Sequence, residues 1–336
     1  MLIEKVLNEM VAERVAPGGV LLVSQNGKTV LYEAFGTTRY QDDGSRVVTK
    51  DTIYDIASIT KIFTATAALV LADRGEISLD DRLAKFFPRC AYGDKVTVRH
   101  LLTHTSGISV WMAKLAEQKP DEIHQAVIQA SLKNKPGAKA EYANVNSYLL
   151  GEIIELVSKE TLDKFFLKEI CRPLGMKETF FNPPGAFFER IAPTEIAENR
   201  GLITGQAHDE STHALGGVAG HAGLFSTAED LNRLCRIWLN GGQIISEKLR
   251  KAALLKQISG DSVGFGLGWM IDCDWMRKTR KHIAGHTGFT GTMIAIAPEY
   301  DLSVALLMNS TYPQRTDWRK RWSYYEKIIQ TLFENL

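Results

Sequence analysis

The chain has 336 residues, 45% hydrophobic and 24% charged, with 40 basic side chains against 39 acidic and a formal net charge of +1. These proportions exclude fibrous and disordered classes and leave room for one large core or two coupled lobes. The balanced charge supplies no global field for nucleic acid or an anionic membrane, so small or neutral partners fit better. From Met1 to Val15, charged residues leave Ile3, Val6, Leu7 and Met10 on one side, which predicts an amphipathic helix and not a signal peptide. After the break at Pro17-Gly18-Gly19, Val20 to Ser24 and Thr29 to Phe35 read as strands of a hairpin turning at Asn26-Gly27. Tyr40 to Asp51 is polar and turn-rich, and it leads to Ala57-Ser58-Ile59-Thr60-Lys61. The run Ile62 to Ala72 that follows is apolar nearly all round, which predicts a central, buried helix.

Between Gly75 and Gly216, helical stretches at Pro120 to Ser131, Val145 to Ser158 and Leu162 to Ile170 alternate with loops, and strand signals are scarce. Thr227-Ala228-Glu229-Asp230 caps a helix through Trp238 that Asn240-Gly241-Gly242 closes. Strands return at His282 to Gly285, Thr292 to Ala297 and Leu302 to Met308, the last two joined by a turn at Pro298 to Asp301, and a helix begins at Thr316. The expected fold class is α/β of the α+β type, with an antiparallel sheet built from both chain ends and flanked by helices. Residues 1–74 and 217–336 form that discontinuous domain, 75–216 an inserted, mostly helical one, and the cleft between them holds the site.

The chemistry is read from three short stretches. Ser58 and Lys61 stand three apart, so on a helix they share a face, and a desolvated lysine amine can deprotonate the serine hydroxyl. The bland alternative is a helix-capping serine followed by a solvated lysine. In Tyr142-Ala143-Asn144 a phenol can relay a proton and an amide can hold a substrate carbonyl; the alternative is a loop tyrosine with an Asx turn. In His286-Thr287-Gly288 the glycine lets backbone approach closely, and the N–H of Phe289 can serve as a second oxyanion donor beside those at the start of the Ser58 helix; the alternative is a plain turn.

In this order and spacing, Ser58-x-x-Lys61, Tyr142-x-Asn144 and His286-x-Gly288 resemble the serine β-lactamase and penicillin-binding protein superfamily, in its class C-like branch with the family VIII carboxylesterases. His100-Leu-Leu-Thr-His104-Thr-Ser-Gly107, Gly216 to Asp230 and Gly266-Leu-Gly-Trp269 extend the resemblance over nearly the whole chain. It implies the β-lactamase/DD-peptidase-like fold, Ser58 as acylated nucleophile, Lys61 and Tyr142 as its proton-transfer partners in an unresolved division, Asn144, His286 and Gly288 as substrate-binding residues, and Ser58 and Phe289 as the oxyanion hole. One departure stands out: the third motif has histidine where β-lactamases have lysine, so a fixed cation for a substrate carboxylate is missing and neutral esters are favoured.

The leading expectation is a cytoplasmic serine carboxylesterase acting on a small-molecule ester or amide, with no cofactor, no metal, no nucleic-acid partner and no membrane. A cytosolic setting also follows from Cys90, Cys171, Cys235 and Cys273, which have neither a disulfide-like nor a zinc-like pattern, and no apolar run reaches the roughly 18 to 20 residues of a bilayer span. The alternatives are a D-amino-acid peptidase, amidase or penicillin-binding protein, and a catalytically silent binding or self-assembling scaffold. Oligomeric state is not legible.

Other stretches carry competing signals. Gly260-Asp261-Ser262-Val263-Gly264 matches a nucleophile elbow with Asp272 and His282 or His286 downstream, but its flanks do not read as a strand and helix of a parallel sheet. His221-Ala222-Gly223 ranks below His286 as a cleft-edge motif, although His221 can approach the site from the lobe junction; His208, His213 and His221 lack ligand spacing. The aromatic and basic tail Arg315 to Lys327 carries Trp318, Trp322, Tyr325, Ile329 and Leu332 at helical spacing, which predicts packing on the sheet. Trp111, Phe180, Phe181, Phe187 and Phe188 are candidates for either an acyl pocket or ordinary core.

Overall fold

The computed structural model describes residues 2–40, 44–241, 244–259, 263–315 and 317–334. Its main sheet has eight antiparallel strands in the spatial order Lys28–Gly36, Gly18–Gln25, Leu302–Met308, Met293–Ala297, Ala284–Thr287, Met270–Ile271, Gly264–Phe265 and Ile258–Ser259. The first and last parts of the chain meet where Leu21 faces Leu306 and Val23 faces Val304. The hairpin turn has both Asn26 and Gly27 at positive φ, 50° and 76°, the geometry that lets a two-residue loop follow the strand twist.

The central strands are apolar without alternation because both faces of the sheet are covered. Leu21, Val23, Met293, Ala295, Val304 and Leu306 pack against the N-terminal helix Leu2–Ala12 and the C-terminal helix Trp318–Glu334 through Leu7, Met10, Tyr325 and Ile329. The intervening residues Val20, Leu22, Ile294, Ile296, Ala305 and Leu307 face the larger core that includes Leu231, Leu234, Cys235 and Trp238 of the helix Ala228–Asn240. A one-residue slip would exchange these two faces, so the register is tightly specified. Thr227 caps Ala228–Asn240 by accepting from the Asp230 N–H, and Gly241 leaves it at φ 74°.

Between the two groups of sheet strands the chain is mostly helical, with Pro120–Ile128, Asn144–Ser158 and Leu162–Phe166, the last continued by a π turn at Leu167–Cys171. Two small sheets also form there: Phe180–Phe181 and Tyr54–Asp55 flank Leu224–Ser226, and Glu195–Ala197 pairs with Gly201–Ile203. The helix Thr60–Asp73 runs through the large core with every residue from Thr60 to Leu71 buried. Close backbone contacts hold it. A Cβ on Gly268 would lie 2.2 Å from that of Ala65, and the helix Asn144–Ser158 meets the neighbouring loop as tightly, a Cβ on Gly220 lying 2.1 Å from the Ser147 carbonyl oxygen.

Several expected bounds move. The strand expected at His282 to Gly285 is Ala284–Thr287, so His286 lies within the strand. The helix expected near Asn146 begins at Asn144. In the C-terminal helix Tyr325 and Ile329 pack as expected, but Trp318 is exposed, because the buried stripe also takes Arg321, Tyr324 and Ile328. Met1, Gly242 and Thr316 lie outside the described residues, as does Ser262 with Gly260 and Asp261. The flanks of Ser262, Ile258–Ser259 and Gly264–Phe265, pair antiparallel, unlike a strand-to-helix elbow. Asp272 and His282 do approach one another there, at 3.6 Å. Among the described residues no helix is long and apolar enough to cross a membrane.

Candidate active site

Ser58 sits in the 3-10 turn Ala57–Ile59 that leads directly into the helix Thr60–Asp73. The residue before it, Ala57, has φ 45°, a left-handed conformation that costs a non-glycine residue about 1–2 kcal/mol. The Asp55 carboxylate holds this turn: one oxygen accepts from the Ala57 N–H at 2.7 Å and the other from the His208 N–H, also at 2.7 Å. Two threonines after strand Ala284–Thr287 complete the anchorage. Thr290 donates to the Asp55 carbonyl at 2.7 Å and Thr292 to the Ile56 carbonyl at 3.2 Å.

Lys61 is the basic group of the site. Its Nζ lies 2.8 Å from Ser58 Oγ and donates to the His221 carbonyl at 2.8 Å. The side chain is 2% exposed. Burial lowers its pKa from 10.5 to about 7, with Asp209 pulling weakly the other way. A neutral amine held this way donates one N–H to the carbonyl and keeps a lone pair for the serine proton. The carbonyl is in place because Thr64 and Thr60 of the helix bind its loop, Thr64 donating to the Gly220 carbonyl at 2.6 Å and Thr60 Oγ1 accepting from the Leu224 N–H at 3.3 Å.

Tyr142 reaches the same point from the segment preceding Asn144–Ser158. Its ring centroid is 5.0 Å from Lys61 Nζ, and Ser58 is close enough to act on its hydroxyl. Although 39% of the residue's surface is open, the hydroxyl end lies deep among protein atoms, and that desolvation raises the phenol well above its ordinary pKa, against the opposing effect of Ser58. His104 supports it. Its Nδ1 accepts from the Ala143 N–H at 3.2 Å and from Asn146 Nδ2 at 3.0 Å, and its ring lies 4.9 Å from that of Tyr142. Ser106 closes the clamp by donating to Asn146 Oδ1 at 2.5 Å. Burial, then Lys61 and His286, hold the His104 pKa well below its usual value.

Asn144 lies on the first helical turn, with Nδ2 3.4 Å from Asp209 Oδ2. The other Asp209 oxygen accepts from Ser211 Oγ at 2.6 Å and from the Thr212 N–H at 2.9 Å, and lies 3.2 Å from His221 Nε2. Desolvation works against this carboxylate, but the His221 charge and these hydrogen bonds overcome it and keep its pKa far below the usual range. His221 itself is fully buried behind Lys61, with Ser211 Oγ at 2.9 Å and Thr212 Oγ1 at 3.1 Å.

His286 closes the third side. It is 1% exposed, its ring is 5.9 Å from that of Tyr142, and burial with the neighbouring Lys61 lowers its pKa to about 3. Gly288 has less to do with open space than its motif suggests. A Cβ there would meet Thr292 Oγ1 at 2.0 Å and the Ile56 carbonyl at 2.5 Å, so glycine lets the strand end dock on the backbone that carries Ser58. Phe289 turns its side chain outward, stacked on His208 at 5.7 Å, while its carbonyl accepts from Arg321 Nη1 at 2.8 Å. The five aromatic residues weighed as an acyl wall do not come together. Trp111 lines a cavity of about 570 Å3 with Tyr142 and Asn144. Phe180 and Phe187 pack at 4.8 Å in a cluster with Phe225, Phe181 joins the large core, and Phe188 is exposed.

Sequence reasoning thus assembled Ser58, Lys61, Tyr142 and His286 and missed Asp209, His104 and Arg321. Asp209 had one available signal, a capping aspartate before Glu210–Ala214, but nothing in its neighbourhood pointed to a lysine 148 positions earlier.

With this geometry in hand, comparison with known proteins is specific. A family model described as Beta-lactamase matches residues 3–326. A protein of Escherichia coli K12 named "Putative D-alanyl-D-alanine carboxypeptidase" is 31% identical, over 92% of this chain and 82% of its own. Among solved structures, the octameric penicillin-binding protein homologue from Pyrococcus abyssi is 27% identical, with a TM-score of 0.79 covering 100% of this chain and 78% of that one. Two others share the fold at lower identity: EstCE1, a hydrolase with promiscuous acyltransferase activity (19%, TM-score 0.80, 98% and 97% covered), and a class C beta-lactamase (19%, TM-score 0.81, 98% and 95% covered). The chain belongs to the beta-lactamase family of serine hydrolases.

Proposed function

We propose that the protein hydrolyses carboxylic esters of small or medium acyl chains through an acyl-enzyme on Ser58. The observation that carries this is Lys61 Nζ at 2.8 Å from Ser58 Oγ, buried and with its pKa brought to about 7. A base of that pKa is about half unprotonated at pH 7 and still basic enough to take the serine proton. Ser58 gives its proton to Lys61 as Oγ bonds to the substrate carbonyl carbon, and the oxyanion is received by the N–H groups of Ser58 and Phe289. When the tetrahedral intermediate collapses, the bond to the leaving oxygen breaks and Tyr142 supplies its proton, taking another from the Lys61 ammonium. Water then attacks the acyl carbon, and acid and free Ser58 are released. The raised phenol pKa supports this division: Tyr142 is a neutral donor, and Lys61 is the standing base.

The ester preference rests on His286, a neutral imidazole where a fixed cation would hold a substrate carboxylate. The second reading, a D-alanyl peptidase, is favoured by the name of the 31% identical relative. Intact-mass measurement with peptide mapping after fluorophosphonate treatment tests the mechanism, alongside turnover of p-nitrophenyl butyrate by wild type and Ser58→Ala. One adduct at Ser58, with turnover lost in the variant, is the expected result. An adduct at Ser262, or neither adduct nor turnover, overturns it. Cleavage of D-alanyl-D-alanine peptides in preference to esters favours the second reading.

A further inference from the structure

Two acceptors in the site are left over after the mechanism is assigned. His286 Nδ1 lies 2.9 Å from the Thr287 carbonyl oxygen. A carbonyl can only accept, so Nδ1 carries the proton and Nε2 is left as a bare lone pair. Among the described residues that Nε2 is buried without a hydrogen-bond partner, on a ring 5.9 Å from that of Tyr142. A buried acceptor with nothing to accept costs about 1–3 kcal/mol, a penalty that a ligand's donor can remove. The second acceptor is Asp209. Its Oδ1 is satisfied three times over, whereas among the described residues its Oδ2 has only the long 3.4 Å contact from Asn144. Its charge reaches both reacting groups, acting on the pKa of Lys61 and of Tyr142.

Cations that would recognise an anionic substrate are engaged elsewhere. Arg315 pairs with Glu195 and Glu210, and Arg321 donates to the Phe289 carbonyl and to Ser310 Oγ. In the outer cavity Lys133 pairs with Glu141 and Lys114 lies over Trp111. Lys61 itself apart, the under-partnered groups beside the reacting atoms are therefore acceptors, one of them negatively charged. From this juxtaposition we infer that the site selects acyl groups bearing an ammonium or another N–H cation, received by Asp209 Oδ2 and His286 Nε2. The inference rests on the acyl-enzyme reading above and adds the substrate class to it.

Two matched sets of ethyl esters test it at two spacings of the charge. Ethyl 4-aminobutyrate, ethyl pentanoate and monoethyl glutarate differ at the chain end, and alanine ethyl ester is compared with its N-acetyl counterpart. Hydrolysis is followed by mass spectrometry. Ser58 labelling is measured first: no label there removes the underlying reading and this inference together. With Ser58 labelled, the expected result is a kcat/KM for the ammonium ester at least about tenfold above its neutral partner at one spacing or both, the order of a hydrogen bond to a charged group. Glutarate is the poorest substrate. Asp209→Asn, which keeps the helix-capping oxygen, reduces the preference to within about threefold, and His286→Lys shifts it toward glutarate. A neutral ester equal to or better than its ammonium partner at both spacings overturns the inference. So does a preference that neither variant changes, since a purely structural role would lower all the esters in proportion.

Discussion

The two walls of the site are built in different ways. The wall carrying Ser58 and Lys61 is local: two residues three apart at a helix start, with the geometry supplied by one turn of backbone. The wall from Asp209 to His221 is a short helix and a loop held by side-chain and carbonyl hydrogen bonds, whose members meet Lys61 from about 150 residues away. The first wall supplies the reacting atoms; burial lowers the Lys61 pKa, and Asp209 of the second wall offsets part of that shift. A nucleophile and base can therefore be present in sequence while their reactivity is decided by residues that no short motif contains.

The largest effect comes from breaking the first wall. Ser58→Ala leaves no group to acylate, and Lys61→Met leaves the serine without a base, so kcat/KM for p-nitrophenyl butyrate falls by roughly 10²–10⁴-fold or more. The lysine variant also has a stability signature. Because Lys61 titrates near 7 in the fold and at 10.5 when unperturbed, the unfolded chain binds more protons between those values. Stability therefore rises with pH from about 7 to 10.5 on this group's account, and urea titrations across that range should show a shallower rise in Lys61→Met.

Next is the anchorage between the walls. Gly220→Ala forces a methyl to within 2.1 Å of the Ser147 carbonyl oxygen, and the helix Asn144–Ser158 and the loop bearing Gly220 must separate. A loss of about 1–3 kcal/mol in denaturant unfolding is expected, with activity lost along with it, because the His221 carbonyl leaves Lys61. Arg321→Met acts on the oxyanion side. The guanidinium fixes the Phe289 peptide and nothing else in the proposed reaction, so kcat should fall about tenfold with KM nearly unchanged, the pH profile keeping its midpoint; Arg321→Lys should recover part of it. The smallest change sharpens the comparison most. Asp209→Asn removes the anion that raises the Lys61 pKa, so the rising limb of kcat/KM should move to lower pH while the serine and lysine remain in place.

What was legible divides along the same line. The hairpin at Asn26-Gly27, the buried helix after Ser58 and the cap at Thr227 depend on near neighbours in sequence, and each formed where expected. The sheet strands Met293–Ala297 and Leu302–Met308 were readable because burial on both faces makes them continuously apolar. His286 was found by its motif, but its partnerless Nε2 depends on a ring tautomer fixed by the Thr287 carbonyl, which no spacing reveals. Asp209 was not singled out because its importance comes entirely from tertiary contact. The same is true of His104, whose acceptance from Ala143 and Asn146 positions Tyr142.

The most direct test of the central claim, that a buried Lys61 is the standing base for Ser58, is the second-order rate of fluorophosphonate labelling at Ser58 from pH 5 to 9. The predicted rate rises with pH to a plateau, with one midpoint near 7. Tyr142→Phe keeps that midpoint, and Lys61→Met abolishes the rise. A rate that climbs without a plateau toward pH 9, or a midpoint that survives in Lys61→Met, would contradict it.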